Sequence, residues 1–266
     1  MSQYALAGGG KGKERLNLLS EVMFPSTSQL LRGVGLAPGM RCLDLGCGGG
    51  HVTRYMAGIV GDAGMVVGID RDGEILELAR RDVDASGLGN VELRCADVLA
   101  IEEEGVYDLV YARFLLAHLS DPAKCVGAML KACKPGGLIV IEDIECAASF
   151  CYPRSPAYER YVELYQQVLR RLGGNADIGP EIPGMLRRAG ATGVQVNVVQ
   201  PAHLEGPGKY MAPVTMRGVS GAVVAQGLAS QEEVERIAAE LELAAADPET
   251  MISLPRIFQV WGRKPS

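Results

Sequence analysis

The segment Leu43-Asp44-Leu45-Gly46-Cys47-Gly48-Gly49-Gly50 constrains this chain more than any other. Arg41–Leu45 reads as a short buried strand, and His51–Ala57 as the start of a helix. A strand, a glycine turn and a helix N-terminus make a place where a ligand can touch backbone. Glycine tolerates positive φ and lets the ligand approach closely. The spacing excludes one tenant. A dinucleotide fingerprint needs Gly or Ala three residues after its second glycine, and here Gly48 is followed by His51. Asp44, two residues before Gly46, would also oppose a diphosphate.

Four further segments follow in order: Val66–Asp70, Arg94–Val98, Tyr107–Pro122 and Cys133–Asp143. With the glycine segment they cover about residues 36–145, and the set resembles the class I S-adenosylmethionine-dependent methyltransferases. Within that family it is most similar to the small-molecule, ubiquinone/menaquinone-biosynthesis type. The resemblance implies a doubly wound, Rossmann-like α/β sheet of seven strands in order 3-2-1-4-5-7-6, the last antiparallel. It implies S-adenosyl-L-methionine as cofactor, S-adenosyl-L-homocysteine as product, and methyl transfer to O, N or C of a small molecule. The alternative is a fold relative that binds the cofactor without transferring methyl: a regulator, or an enzyme that uses the sulfonium charge to assist another reaction.

The resemblance also assigns residues. Asp70 closes the second strand, where an acceptor-only carboxylate can take both ribose hydroxyls; the plain reading is a helix N-cap, which Asp72 could serve. Asp97 would face the adenine amino group, or be a solvated loop acid. Asp44 would order the glycine loop or meet the cofactor's ammonium group. Gly46, Cys47, Gly48, Arg71 and Val98 complete the expected cofactor contacts. Arg113 would hold the cofactor's carboxylate or a substrate acid, or form a surface ion pair. His118 is the leading general-base candidate because an imidazole takes protons near neutrality, and His203 is second. Either could instead be a hydrogen-bonded structural histidine. His51 is cofactor-side or structural. Glu142 and Asp143 end the fifth strand as pocket or turn residues. Tyr158, Tyr161 and Tyr165 share a helix face and read as core packing or as an aromatic wall. Tyr4 with Gly8-Gly9-Gly10 could fold over the cofactor.

At 266 residues the chain fits one α/β domain. We expect a helical cap over 1–35, a cofactor core over 36–145, and lid or substrate elements over 146–190 and 200–254. The net charge of −6 argues against nucleic acid as main partner. No apolar run approaches a membrane span, and the first residues lack a signal-peptide core. The partners expected are a small-molecule acceptor and at most a second copy, as monomer or homodimer. Seven cysteines without CxxC spacing and only three histidines make a metal site unexpected. A reduced cytoplasmic setting fits them, with Cys42, Cys95 and Cys133 as small core residues.

Periodicity adds detail. Residues 11–33 read as two short helices split near Phe24-Pro25, residues 146–154 as irregular, and 156–172 as a helix. Strands are expected at about 193–199 and 256–263. Ser230-Gln231-Glu232-Glu233 is a capping box. We expect residues 200–254 and the first 15 to exchange amide hydrogens faster than the central strands.

Overall fold

The computed structural model describes residues 9–266. Helix α1 (Gly9–Gly33) precedes the alternating core: β1 (Arg41–Leu45), α2 (His51–Val60), β2 (Met65–Asp70), α3 (Gly73–Ser86), β3 (Val91–Cys95), β4 (Tyr107–Arg113), α4 (Pro122–Ala132) and β5 (Cys133–Glu145). The second half adds β6 (Cys151–Tyr152), α5 (Pro156–Arg171), α6 (Ile182–Ala189), β7 (Thr192–Val199), β8 (Ala202–His203), α7 (Met211–Ala225), α8 (Gln231–Ala246), β9 (Met251–Ser253) and β10 (Arg256–Arg263). Tyr4 and Gly8 lie outside the described residues.

The main sheet runs β3-β2-β1-β4-β5-β10-β7. Counting only its seven strands along the chain, this is the expected order 3-2-1-4-5-7-6. β1 is parallel to β2 and β4, whereas β10 is antiparallel to both β5 and β7. The central strands are apolar on both faces. Leu109 and Tyr111 of β4, and Leu138 and Val140 of β5, face a core that includes Met56 and Val60 of α2. Their neighbours Val110, Ala112, Ile139 and Ile141 face the opposite core, with Val126 and Met129 of α4. The alternation is that of a strand covered by helices on both sides. Strand order reverses between β1 and β4, which opens a crevice at their carboxyl ends.

Three expectations are corrected. Residues 11–33 are not two helices: α1 is continuous, with Pro25 inside it. A proline removes one helical hydrogen bond, but burial of Met23, Thr27, Leu30 and Leu31 holds the helix on both sides of it. Cys42 and Cys133 are buried, but Cys95 is exposed at the end of β3. Residues 146–154 contain a short strand, β6, which joins β9 and β8 in a second, three-stranded sheet.

The stretch between β7 and β10 is well packed. Met216 and Val219 of α7 and Ile237 and Leu241 of α8 are buried in the core shared with the sheet. Ser230 Oγ accepts the Glu233 N–H at 3.1 Å, so the α8 cap forms as its sequence suggests. Among the described residues no helix is long and apolar enough to cross a membrane.

Candidate functional site

A cavity of about 540 Å³ opens at the carboxyl ends of β1, β2 and β4, a size typical of small-molecule sites. Its floor is the glycine loop. Gly46 and Gly48 have φ of +69° and +50°, a region that side chains rarely adopt. A Cβ on Gly46 would lie 3.0 Å from Leu115 Cδ1, and one on Gly48 would lie 3.3 Å from Leu16 Cδ1. The loop is therefore threaded between α1 and the segment after β4, where a side chain would force Leu115 or Leu16 to shift and would meet an unfavourable positive φ.

Asp70 holds that loop. One carboxylate oxygen accepts the Gly48 N–H and the other the Asp72 N–H, each at 2.9 Å. Asp72 is the cap of α3, accepting the N–H groups of Glu74 and Ile75. The N-cap role thus falls to Asp72, and Asp70 keeps lone pairs directed elsewhere, since a carboxylate accepts about four hydrogen bonds. Asp97 caps the turn after β3 by accepting the Leu99 N–H. Asp44 is buried beneath the loop and accepts the Thr53 hydroxyl at 2.6 Å. Burial pushes its carboxyl up to about 7, against the opposing pull of Thr53 and of the Arg113 guanidinium.

The segment after β4 forms a second side. Phe114 has φ of +54°, unusual for a bulky residue. Its N–H donates to the Glu142 carbonyl, and the Arg113 guanidinium lies 5.6 Å from its ring centroid. Arg113 also donates to Thr27 Oγ1 of α1, which donates in turn to the Glu142 carboxylate. Glu142 accepts from Tyr111 and Gln259 as well. Asp143 accepts the Ala117 N–H at 3.1 Å and holds the turn that carries His118. Burial pushes the Asp143 carboxyl up to about 7, opposed by these backbone N–H groups. Glu142 and Asp143 are fully buried and lie beneath the cavity rather than in its wall.

The remaining side comes from the second half of the chain and from α1. Tyr158, Tyr161 and Tyr165 of α5 face the cavity together. Tyr161 meets Tyr158 edge-on at 5.9 Å and Tyr165 at 6.4 Å between ring centroids. Tyr158 also donates to the Ser253 carbonyl at 2.7 Å. The stripe is both packed and exposed to the cavity. Met211 and Thr215 of α7 and Arg15, Leu16 and Leu19 of α1 complete this side.

A family model described as a methyltransferase domain matches residues 36–175, just over half of the chain. The chain belongs to the methyltransferase domain family. The ubiquinone biosynthesis O-methyltransferase of Leptothrix cholodnii is 36% identical over 42% of this chain and 47% of its own length. The ubiquinone/menaquinone biosynthesis C-methyltransferase UbiE of Teredinibacter turnerae is 34% identical over 52% of this chain and 55% of its own. The matches thus span about half the length of these curated relatives. Among solved structures, the [4+2]-cyclase SpnF aligns over 100% of this chain and 99% of its own, with TM-score 0.57 and 18% identity. At that identity the likeness is one of fold.

This methyltransferase-family chain gathers in one cavity nearly all the residues its sequence singled out. Asp44, Gly46, Cys47, Gly48 and His51 line it with Asp70, Arg71, Asp97, Val98, Arg113 and His118. His203 is not in the wall: it sits in β8, packed against Gly208, and its Nε2 is buried without a hydrogen bond among the described residues. His118 is in the wall but is a poor proton acceptor at rest. Burial, then the Arg15 and Arg71 guanidiniums, push its pKa down to about 3. Sequence reading missed Arg15, Leu16, Phe114 and Thr215. The first two precede the recognisable segments, and Phe114 is marked only by its backbone.

Proposed function

We propose that this chain transfers the methyl group of S-adenosylmethionine to a small-molecule acceptor. The observation that carries the reading is Asp70: a carboxylate at the end of β2, fixed by two backbone N–H groups, with acceptor capacity left beside the cavity. That suits a vicinal diol such as a ribose. The glycine loop suits the same ligand, because Gly46 and Gly48 line the cavity and leave their backbone open to close approach. Asp44 and Arg113 offer one acid and one base for a zwitterionic end, and Asp97 one acceptor for an exocyclic amine.

When bound, the cofactor supplies a methyl group already activated by its sulfonium. The chain's own task is then to align the acceptor and exclude water. The tyrosines of α5 with Met211 and Thr215 would orient the acceptor, and the turn held by Asp143 would bring His118 toward it. His118 is the base we propose for a protonated acceptor. Its pKa of about 3 means that a nearby negative charge must first make the imidazole more basic. His203 is outside the cavity wall, and we assign it no step. We assign residues 1–35 to a helical cap, and 146–190 and 200–254 to lid or substrate elements. The unpaired thiols fit a cytoplasmic setting, and the assembly we propose is a monomer or homodimer.

A second reading is kept open by one comparison: the fold aligns end to end with a cyclase. Native mass spectrometry of the purified protein, followed by a methyl-acceptor screen, separates the readings. Bound S-adenosylmethionine and accumulation of S-adenosylhomocysteine with a methylated product are the expected results. A bound cofactor that stays intact while an acceptor is transformed would favour the second reading. Absence of cofactor binding would overturn both.

A further inference from the structure

The charges around the cavity are divided unevenly. Its acids, Asp44, Asp70, Asp72 and Asp97, all come from the ends of β1 to β3 or the turns after them. The opposite side, from α5, α7 and the approach to β10, contributes no acid to the wall. Arg15 of α1 faces the same cavity, and its Nε is buried without a hydrogen-bond partner among the described residues. No ion pair involving Arg15 occurs among them either. A guanidinium offers five donors in a fixed fork, and burying one of them unpaired is costly. Such an orphan calls for an acceptor that arrives with a ligand.

Two observations place this charge. The Arg15 charge acts on both His118, whose pKa it lowers further after burial, and Tyr161, whose burial-raised pKa it opposes. It therefore stands between the turn after β4 and the aromatic stripe of α5. The cation that acts on the glycine loop's acid is a different one: the Arg113 charge pulls against the burial of Asp44. A zwitterionic amino-acid end can be matched by Asp44 and Arg113 together, which leaves Arg15 in surplus.

We propose that the α5 side of the cavity binds a planar aromatic acid, with Arg15 pairing to its carboxylate and Tyr158, Tyr161 and Tyr165 packing against its ring. Only the role of that molecule as methyl acceptor rests on the function proposed above; the anion site is defined by this chain's own residues. The pairing has a chemical consequence. Burial first, and then the two guanidiniums, keep the His118 imidazole neutral; a carboxylate beside Arg15 would offset the guanidiniums' share and make it a better base when the site is filled.

The test uses two probes of equal shape, 2-naphthoate and 2-naphthalenemethanol, titrated calorimetrically into the full chain with and without S-adenosylhomocysteine. The carboxylate should bind about tenfold to a hundredfold more tightly than the alcohol, the range for a hydrogen bond to a charged group. Arg15→Met should bring the two probes within about threefold of each other while leaving S-adenosylhomocysteine affinity within about threefold of wild type. Arg15→Lys should retain part of the preference, and Arg15→Gln replaces the Met variant should that fail to fold. Equal binding of the probes by wild type, or no binding of the carboxylate, would overturn the proposal. So would an Arg15→Met variant that keeps the preference but loses cofactor affinity, since Arg15 would then serve the cofactor. Failure of wild type to bind S-adenosylhomocysteine would sink the methyl-transfer reading instead, and the titration without it would still decide the anion site.

Discussion

On the β1–β2 side of the cavity, the groups that face the interior are mostly backbone N–H donors, glycines and carboxylates, with Cys47, His51 and Arg71 among them, all within a few residues of a strand end. On the α5–α7 side they are tyrosines, a methionine, a threonine and an arginine, from segments up to two hundred residues apart. The first side is positioned by hydrogen bonds of the sheet and its turns, so its geometry is set before any ligand arrives. The second is positioned by helix packing, where each side chain can change without disturbing the sheet. The same fold can thus keep one ligand and exchange the other.

That contrast can be broken most severely at Asp70. Asp70→Ala removes an acceptor from the ligand and also releases Gly48 and Asp72, so S-adenosylhomocysteine affinity should fall by about a hundredfold or more. Calorimetric titration of the folded variant measures it; an unchanged affinity would mean that this side is not the cofactor's. Asp44 tests the same side through pH. Its carboxyl, raised to about 7 by burial, is largely neutral below that value and ionised above it. An ammonium pairs only with the ionised form, so affinity should rise about tenfold from about pH 6 to about pH 8. Asn at this position should flatten the profile at its low-affinity end. The α5 side should answer differently. Tyr161→Ala should raise the acceptor KM about tenfold or less and leave S-adenosylhomocysteine affinity nearly unchanged; a matching loss of both would erase the division. The smallest effect concerns motion. Amide exchange in α7 and α8 should be only modestly faster than in β5, because Met216 and Leu241 lie in the shared core. Ligand should slow it most in α7 near Met211 and Thr215, which line the cavity. Equal protection with and without ligand would make the insertion part of the rigid body.

The two sides also differed in how far they could be read from sequence. The β1–β2 side is local: Asp44, Gly46 and Gly48 lie within five residues, Asp70 ends the next strand and Asp97 follows the one after, so strand–turn–helix patterning places them. The strand order came from family resemblance, since periodicity does not say which strands pair. The other side is assembled by tertiary contact. The spacing of Tyr158, Tyr161 and Tyr165 revealed a common face but not what it faced. Arg15 carried no local signal, because its meaning lies in an Nε left without a partner among the described residues. Pro25 misled, because propensity weighs one lost hydrogen bond and cannot see the burial of Thr27 against Glu142. Cys95 misled for a related reason: a strand end beside apolar residues can still open to solvent. Glu142 and Asp143 were expected near the pocket and lie just below it, where one residue of strand register separates lining from support.

Asp143 has a mechanical consequence. The turn from Leu115 to His118 is too short to stiffen itself, yet it carries side chains that must be aimed to within a fraction of an ångström. A single carboxyl rooted in β5 gathers its backbone N–H groups, so the turn borrows its rigidity from the middle of the sheet. Aim and stiffness are then separable. A substitution on the turn changes what is presented, and a substitution at Asp143 changes how steadily it is held. New chemistry can be tried on the turn without rebuilding its mount.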